Sequence, residues 1–493
     1  MSALAAAPRA PDPAAPTAGR QAFRRLETWL YSAPSKRLGL PQIERESERR
    51  GRELLRLLLQ AHLDGRGSGD VGVALRVSAP DGSPLFLTHR RLHTRRLITL
   101  FGAVSVSRMG YGCPGQASVH PLDAELELPA RTYSYEIQRR LVKAAVQGPF
   151  DEALGLLWDT NGVGVPKRSA EQILVEAAVD FDSFYVQHTD ADDPQAQGPI
   201  LVGAIDCKGI PMVKPQPAAK AVRLKKGEKR QKKRMSTVAA VFSQQPEPRT
   251  PEAVIASLFA PQSSSTQPRR RSRPLRKRIW ASLLAGKDAF IADVRAEMLR
   301  RDPRRKKTWV IVTDGERALQ RRVCKLFGDI TLVLDLLHVL EKLWAAAYTL
   351  HPEGSPQAEG FVRERALRIL RGQVSQVVKG LRQMVTKRRF RGQRRKTLLG
   401  VAAYYYRNRS RMRYDLYLVK GWPIASGSVE GACKNLIKDR MERSGMRWTL
   451  AMAEAMLRLR AIYLSGDFEP YWEYHVRQDQ QRLHPRLWTV VRK

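Results

Sequence analysis

Cysteine is scarce in this chain: Cys113, Cys207, Cys324 and Cys433 are scattered over 493 residues, with no CxxC pair. Neither a disulfide framework nor a cysteine zinc ribbon follows from that spacing, and a reducing, cytoplasmic setting fits it. Long apolar runs are missing as well. A membrane span needs about 18 uninterrupted apolar residues, and the richest segment, 331–350, is broken by Asp335, His338, Glu341 and Lys342. No membrane partner is expected. Residues 1–20 are rich in Ala and Pro but lack the charged and then apolar regions of a secretory signal. They read as part of a disordered leader over 1–40.

Acidic residues are also in short supply: 48 Asp and Glu stand against 86 Lys and Arg, a formal net charge of +38. So much positive charge repels itself in a folded chain and suits a polyanion, whose released counterions drive association. A simple basic tail would lack the 43% hydrophobic content, which is enough for two or more cored domains. The expected partner is nucleic acid.

The pattern IERESERRGRELLRLLLQAHL predicts a helix over 42–65, with Leu54, Leu55 and Leu58 on one side. In 90–111, Val104 and Val106 alternate with Ser105 and Ser107, and Phe101-Gly102 supplies a turn, which predicts a β-hairpin. Residues 133–185 read as helical, interrupted at 159–169 by Asn-Gly and a further Gly. Helix, glycine turn and helix are compatible with a DNA-reading helix-turn-helix and equally with an ordinary α-hairpin. From 198 onward strands and helices alternate. A strand runs into Asp206, with Gly209 and Pro211 favouring a hairpin beyond it, and another covers STVAAVF. Then come a helix over 289–301, a strand over 309–313, a helix over 316–326 and a strand over 332–334. This alternation indicates an α/β layer. Two basic insertions interrupt it: 221–235, with Lys225, Lys226, Lys232 and Lys233, and 261–278, with Arg270 and Arg271. Each is either a solvated surface run or a phosphate-tracking loop. Residues 341–417 turn helical and basic, and helix returns over 429–473.

Three distant stretches set an acid where a strand or helix would hold it rigid. They are ILVGAIDCKG with Asp206, TWVIVTDGERAL with Asp314, and ASGSVEGACKNLIKDRMERSGMRW with Glu430. A carboxylate at the end of a buried strand is fixed in direction and poorly solvated, which suits a hard cation, and ligands gather at strand carboxyl ends in α/β sheets. For Asp314 a helix N-cap is the competing role. Glu430 follows Ser426 and Ser428, either of which would cap a helix there, and helical spacing puts Lys434 and Lys438 on its face. That face reads either as a metal ligand beside two phosphate-holding lysines or as two ordinary surface ion pairs. Three oxygen ligands suit Mg²⁺ or Mn²⁺. Two such ions about 3.5–4 Å apart would support in-line attack on a phosphodiester.

The pieces DCKGIPM, VTDGERAL, DLLHVLEKLW and SGSVEGACKNLIKDRMERSGMRW occur in this order, followed by an apolar helix with LRLR and then FEPYW. In them the chain resembles the DDE transposases of bacterial insertion sequences, specifically the ISKra-type family, over roughly 111–472. The fold this implies is α/β, an RNase H-like mixed sheet flanked by helices, with a helical insertion before the last acid. A separate N-terminal α+β region would bind DNA. The resemblance implies Asp206, Asp314 and Glu430 as the metal triad. It implies Asp335 and His338 as a D-x-x-H pair, with His338 near the scissile phosphate. Asp335 is alternatively a helix cap with His338 packed beside it, or the second metal ligand in place of Asp314. Trp344 either stacks on an unpaired base or packs with Leu340 and Leu343. The chain departs from the family at Cys207, where Gly is more usual, and in the length of its basic insertions.

The layout expected is a leader over 1–40, a DNA-end-binding region over 41–190, core over 195–340, a helical basic insertion over 341–420 and closing core and C-terminal helices over 421–493. The activity expected is that of a DNA transposase. It would cleave at the terminal inverted repeats of its own element and join the 3′-hydroxyl to target DNA, as a homo-oligomer on nucleoid DNA. A structure-selective nuclease on the same core and a non-catalytic, transposase-derived DNA-binding protein are the alternatives.

Overall fold

The computed structural model describes residues 17–78, 83–115, 117–188, 198–213, 233–259, 274–484 and 488–491, without the side chains of Ser428, Val429, Glu430, Ser444 and 488–491. Lys225, Lys226, Lys232, Arg270 and Arg271 lie outside the described residues. Among the described residues no helix is long and apolar enough to cross a membrane.

The chain opens with helices α1 (Thr17–Leu30) and α2 (Leu40–Gly65), followed by strands β1 (Ala74–Ser78), β2 (Pro84–Leu87), β3 (His89–Thr99) and β4 (Gly102–Gly112). Helices α3 (Tyr135–Ala145), α4 (Phe150–Asn161) and α5 (Lys167–Ala177) come next. The alternating part holds β5 (Ile200–Pro211), β6 (Lys233–Gln244), β7 (Leu275–Ser282), α6 (Lys287–Arg301), β8 (Thr308–Thr313), α7 (Arg317–Phe327) and β9 (Thr331–Leu334). Helices α8 (Leu336–Tyr348), α9 (Pro356–Leu370), α10 (Val374–Lys387), α11 (Gly392–Asn408), α12 (Tyr414–Val419) and α13 (Gly427–Ala432) follow. The chain ends in α14 (Leu450–Ser465), α15 (Phe468–Leu483) and β10 (Trp488–Val491). Two compact units emerge, one of Met1–Phe184 with Glu469–Lys493 and one of Tyr185–Phe468.

In the first unit β1 pairs antiparallel with both β2 and β10, while β3 and β4 form a separate hairpin in register from Thr99↔Gly102 to His89↔Gly112. The hairpin turns on Leu100 and Phe101, with Gly102 at φ +122°, a value that favours glycine. Leu97, Val104 and Val106 line its inner face and pack with Leu122 and Leu128, against Leu59 and Leu63 of α2. The disordered leader expected over 1–40 needs correcting from Thr17 onward, because α1 is helical and its Gly19 and Ala22 are buried. A Cβ at Gly19 would come 2.6 Å from Leu58 Cδ2, so the missing side chain is what lets α1 settle on α2. The C-terminal segment from 469, expected with the core, belongs to this unit instead. Asp180, just past α5, holds it: His475 Nδ1 and Arg482 Nη1 both approach the carboxylate at 2.7 Å.

The second unit is built on a mixed sheet in the order β7-β6-β5-β8-β9. β6 is antiparallel to β5 and β7, whereas β5, β8 and β9 run parallel. The α/β layer read from the strand and helix alternation is therefore present. Phe290, Ile291, Val294 and Met298 of α6 are buried, with Met298 close over Gly203 of β5. β6 runs back along β5 from Pro211↔Lys233 to Ile200↔Gln244, the return along the sheet expected beyond Asp206; past Pro211, Met212 bridges to Trp448, and Val213 N–H donates to the Trp448 carbonyl at 2.9 Å. The loop expected over 261–278 also needs correcting, since Leu275–Ser282 is strand β7. Its Arg278 is buried, with the guanidinium 3.5 Å from the Tyr185 ring centroid and 4.5 Å from that of Trp280. Arg278 Nη1 lies 2.5 Å from Glu297 Oε2. Local arginine density signalled solvent, but a buried carboxylate and two rings draw the side chain inward.

Glu297 also holds Arg300 at 2.6 Å and Arg301 at 2.7 Å. Burial raises its pKa, but the three guanidinium groups outweigh that and bring it from 4.5 to about 2. The ionised carboxylate thus adds stability that is fully present above pH 4.5 and is lost as the pH falls toward 2. In urea titrations at neutral pH, Glu297→Gln is expected to cost about 3 kcal/mol. The gap between wild type and variant should close on acidification through that window; a gap independent of pH would contradict the assignment.

Candidate active site

The register of the sheet sets three aspartates side by side. β5 pairs with β8 up to Ile205↔Thr313, and β8 pairs with β9 up to Thr313↔Leu334. Asp206, Asp314 and Asp335 are the next residues on the three chains, so they form one row across the carboxyl ends of the parallel strands. Adjacent strands lie about 4.8 Å apart, which makes neighbours in the row neighbours in space. β5 itself does not end at Asp206. It continues to Pro211 against β6, with Asp206 opposite Val238. What ends there is its pairing with β8.

The three carboxylates are held differently. Asp206 Oδ1 accepts from the Cys207 N–H at 2.7 Å, and Oδ2 accepts from Cys433 Sγ at 3.3 Å. Asp314 Oδ1 accepts from the Glu316 N–H at 2.9 Å, which shapes the turn into α7, and Oδ2 has no protein hydrogen bond among the described residues. Asp335 is fully buried. Its Oδ1 caps α8 by accepting from the Leu337 N–H at 2.8 Å, and its Oδ2 accepts from the Ser426 N–H at 3.3 Å and from the Ser426 hydroxyl. Asp335 is thus committed within the chain, and Ser426, one of the two serines that could cap the helix of Glu430, spends its hydroxyl on Asp335.

Burial pushes the Asp314 carboxyl above its usual range; the Glu316 N–H opposes this, and the Asp206 charge adds to it. His338 moves to about 9, lifted first by Asp335, against burial, and then by Asp206 and Asp314. Its Nδ1 stands 3.6 Å from Asp335 Oδ2, an ion-pair distance too long for a hydrogen bond. His338 Nδ1 and the hydroxyl of Thr313, the residue before Asp314, are both buried without a hydrogen-bond partner. The imidazolium is the only one of these groups that carries positive charge into the row.

Among the described residues no three Asp, Glu, His or Cys side chains form a cluster that could hold a metal ion. Glu430, the third ligand expected, has its side chain outside the description. Its backbone lies in α13, three residues before Cys433, the residue that touches Asp206. From Cys433 to Lys438 the helix takes π form, a local widening frequent at functional sites. Cys433, Leu436 and Ile437 are buried there while Lys434 and Lys438 are exposed. The α-helical spacing used to set both lysines on the face of Glu430 does not hold through this turn. Lys233 is exposed and paired with Glu442, Nζ to Oε1 at 2.7 Å. Trp344 is half-buried in an aromatic group, its ring centroid 5.4 Å from that of Tyr348 and 6.3 Å from that of Phe259.

Sequence reasoning missed three neighbours of the row. Tyr404 lies so close to Gly315 that no Cβ fits there, and burial, then the charges of Asp314 and Asp335, raise its phenol well above the usual value. Gln320 Nε2 donates to the Asp314 carbonyl at 3.0 Å and to Asn408 Oδ1 at 3.3 Å, which braces the Asp314 turn from α11. Lys287 Nζ pairs with Glu316 at 2.8 Å. The one available signal was the run Tyr404-Tyr405-Tyr406 in an otherwise basic helix, since consecutive aromatics there cannot all face water.

No protein-family model and no curated protein matches the chain. Among solved structures the chain is similar to the Drosophila P element transposase strand transfer complex. The identity is 10%, with 70% of this chain and 80% of that chain covered and a TM-score of 0.23. At that score the likeness carries no argument about fold or activity.

The hydrogen bonding separates a structural acid from its neighbours. Asp335→Ala would strand the Leu337 N–H and both Ser426 donors, and is expected to cost about 2–3 kcal/mol. Asp314→Asn removes a charge that folding disfavours, so it should raise the thermal midpoint. Melting curves check both; a destabilised Asp314→Asn would make Asp314 a structural residue.

Proposed function

We propose that the chain is a DNA transposase of the DDE kind, with Asp206, Asp314 and Glu430 holding Mg²⁺ or Mn²⁺ and His338 contacting the phosphate. The observation that carries this reading is the row position of Asp206 and Asp314: adjacent, half-buried, with the charge of one opposing ionisation of the other. Hard oxygen donors whose mutual repulsion a cation would relieve, beside the orphaned hydroxyl of Thr313, fit a divalent ion. When bound, a pair of such ions supplies activation of the attacking oxygen and neutralisation of the leaving one.

The chain's own residues supply the rest. His338, charged at neutral pH, donates a hydrogen bond to a non-bridging phosphate oxygen. Tyr404 and Gln320 keep the Asp314 turn in place. The turn between α10 and α11 carries Arg388, Arg389 and Arg391, and the start of α11 carries Arg394, Arg395 and Lys396, all exposed and without an acidic partner among the described residues. Such a cluster follows a phosphate backbone without reading sequence. The mixed sheet flanked by helices, with α8–α12 placed before the segment of Glu430, supports an RNase H-like core carrying a helical insertion. The substrates in this reading are the terminal inverted repeats of a mobile element and its target DNA, bound by a homo-oligomer.

Asp206→Asn, Asp314→Asn and Glu430→Gln should each lower Mg²⁺-dependent end cleavage and joining at least about a hundredfold, with duplex affinity unchanged. Retained cleavage in any of the three would remove that residue from the site, and retained cleavage in all would end the proposal. Binding should also weaken steeply with salt. Replacing Arg388, Arg389 and Arg391 by Ala should reduce the log–log salt slope by about 0.9 for each phosphate that is no longer neutralised.

A further inference from the structure

The first unit offers two elements that could read duplex DNA, and they differ in surface chemistry. The pair α4 and α5, joined through Gly162 at φ +63°, has the helix-turn-helix outline. Its second helix, however, is poorly suited to phosphate. Lys167 at its start pairs with Asp151 at 3.3 Å, and Gln172 and Glu176 on its exposed side are both engaged by Arg131. Glu171 adds a further negative charge.

The β3–β4 hairpin is the contrary case. Its two strands hold five arginines and no acidic residue. Arg95 and Arg108 face inward to Asp123, and Arg90 pairs with Asp70. Arg91 and Arg96 have no acidic partner among the described residues. On the outer face the register sets Arg96 beside Ser105 and Thr94 beside Ser107, with Leu92 next along the strand and 56% exposed. Arg96, Thr94, Ser105 and Ser107 are all exposed as well. The ribbon is also fixed from behind. Its inner face is packed on α2, Gln60 makes two 2.8 Å hydrogen bonds to the Ser105 backbone, and the Ile98 N–H donates to the Thr132 carbonyl at 2.7 Å.

We propose that this ribbon enters the major groove of duplex DNA and is the sequence-reading element of the chain. Two strands about 4.8 Å apart fit a groove about 12 Å wide. The span from Leu92 to Arg96 is about 14 Å, the rise of about four base pairs. A guanidinium rising from that face matches the O6 and N7 acceptors of guanine, hydroxyl groups serve either a donor or an acceptor, and Leu92 with the Thr94 methyl meets the thymine methyl. Arg91, at the open end of the ribbon, meets backbone phosphate. The inference rests on the DNA-processing reading above but concerns binding, not cleavage.

The test uses the full chain and a mixed-sequence duplex several helical turns long, with affinity read by fluorescence anisotropy. Arg96→Glu and the pair Ser105→Asp with Ser107→Asp, all on an exposed face, should melt as wild type does. Each should bind about tenfold or more weakly, while Arg168→Glu on α5 stays within about twofold. Methylation of guanine N7 should weaken binding of the wild-type chain, and netropsin in the minor groove should not compete. Loss of binding in Arg168→Glu with full binding in the ribbon variants would overturn the proposal, as would competition by netropsin with indifference to N7 methylation. If wild type binds no duplex at all, the DNA-processing reading falls together with the inference. If it binds and cleaves while the ribbon variants are normal, only the inference falls.

Discussion

Everything at the candidate site depends on one alignment, that of β5 against β8. β5 is buried on both faces through its first six residues, so it lacks the in–out alternation that normally fixes strand register. Gly203 supplies what the alternation does not. It stands opposite Ile311, and a Cβ there would come 2.6 Å from Ile311 Cδ1 and 3.1 Å from Met298 Sδ. Only a residue without a side chain accepts Ile311 on one side and the α6 methionine on the other. Three positions further on, the same alignment delivers Asp206 beside Asp314. A glycine in the sheet interior thus sets a distance between two acids at its rim.

The acids of this basic protein divide into those satisfied by folding and those left in tension by it. Glu297, Asp180 and Asp335 each have two or more donors that the native chain brings to them. Asp314 has one backbone donor, a buried position and a neighbouring negative charge. A residue held against its own preference accords with the cation site proposed above. His338 does part of this by bringing one positive charge to the row, itself sustained by the acid least available to a ligand, Asp335.

Much of this was legible in the residues because the strands at issue are short, apolar and bounded by Gly or Asp. TWVIVTDG and LVLD announce strand ends, and the α/β layer follows from them. The hairpin was legible in the alternation of Val104 and Val106 with Ser105 and Ser107. What could not be read was non-local. Arg278 looks solvated until Glu297 and Tyr185 are brought to it, and β7 was hidden for that reason. Gly19 reads as part of a flexible leader until Leu58 is seen beneath it. That Asp335 Oδ2 is taken up by Ser426, a residue 91 positions away, has no signal in the local sequence. The phase of Lys434 and Lys438 depended on a π turn that no periodicity argument anticipates.

That π turn has a further consequence. Arg460 Nε donates to the Asn435 carbonyl at 2.6 Å, and the arginine is itself only 7% exposed. A widened turn shifts its carbonyls off the α-helical ladder, and here a cation from a neighbouring helix takes one of them up. The widened turn and the arginine are thereby joined. Loss of the arginine would remove this donor from the carbonyl. Descendants of this chain should either keep both or have shed both, so length within 433–438 and the identity of position 460 would vary together rather than drift apart.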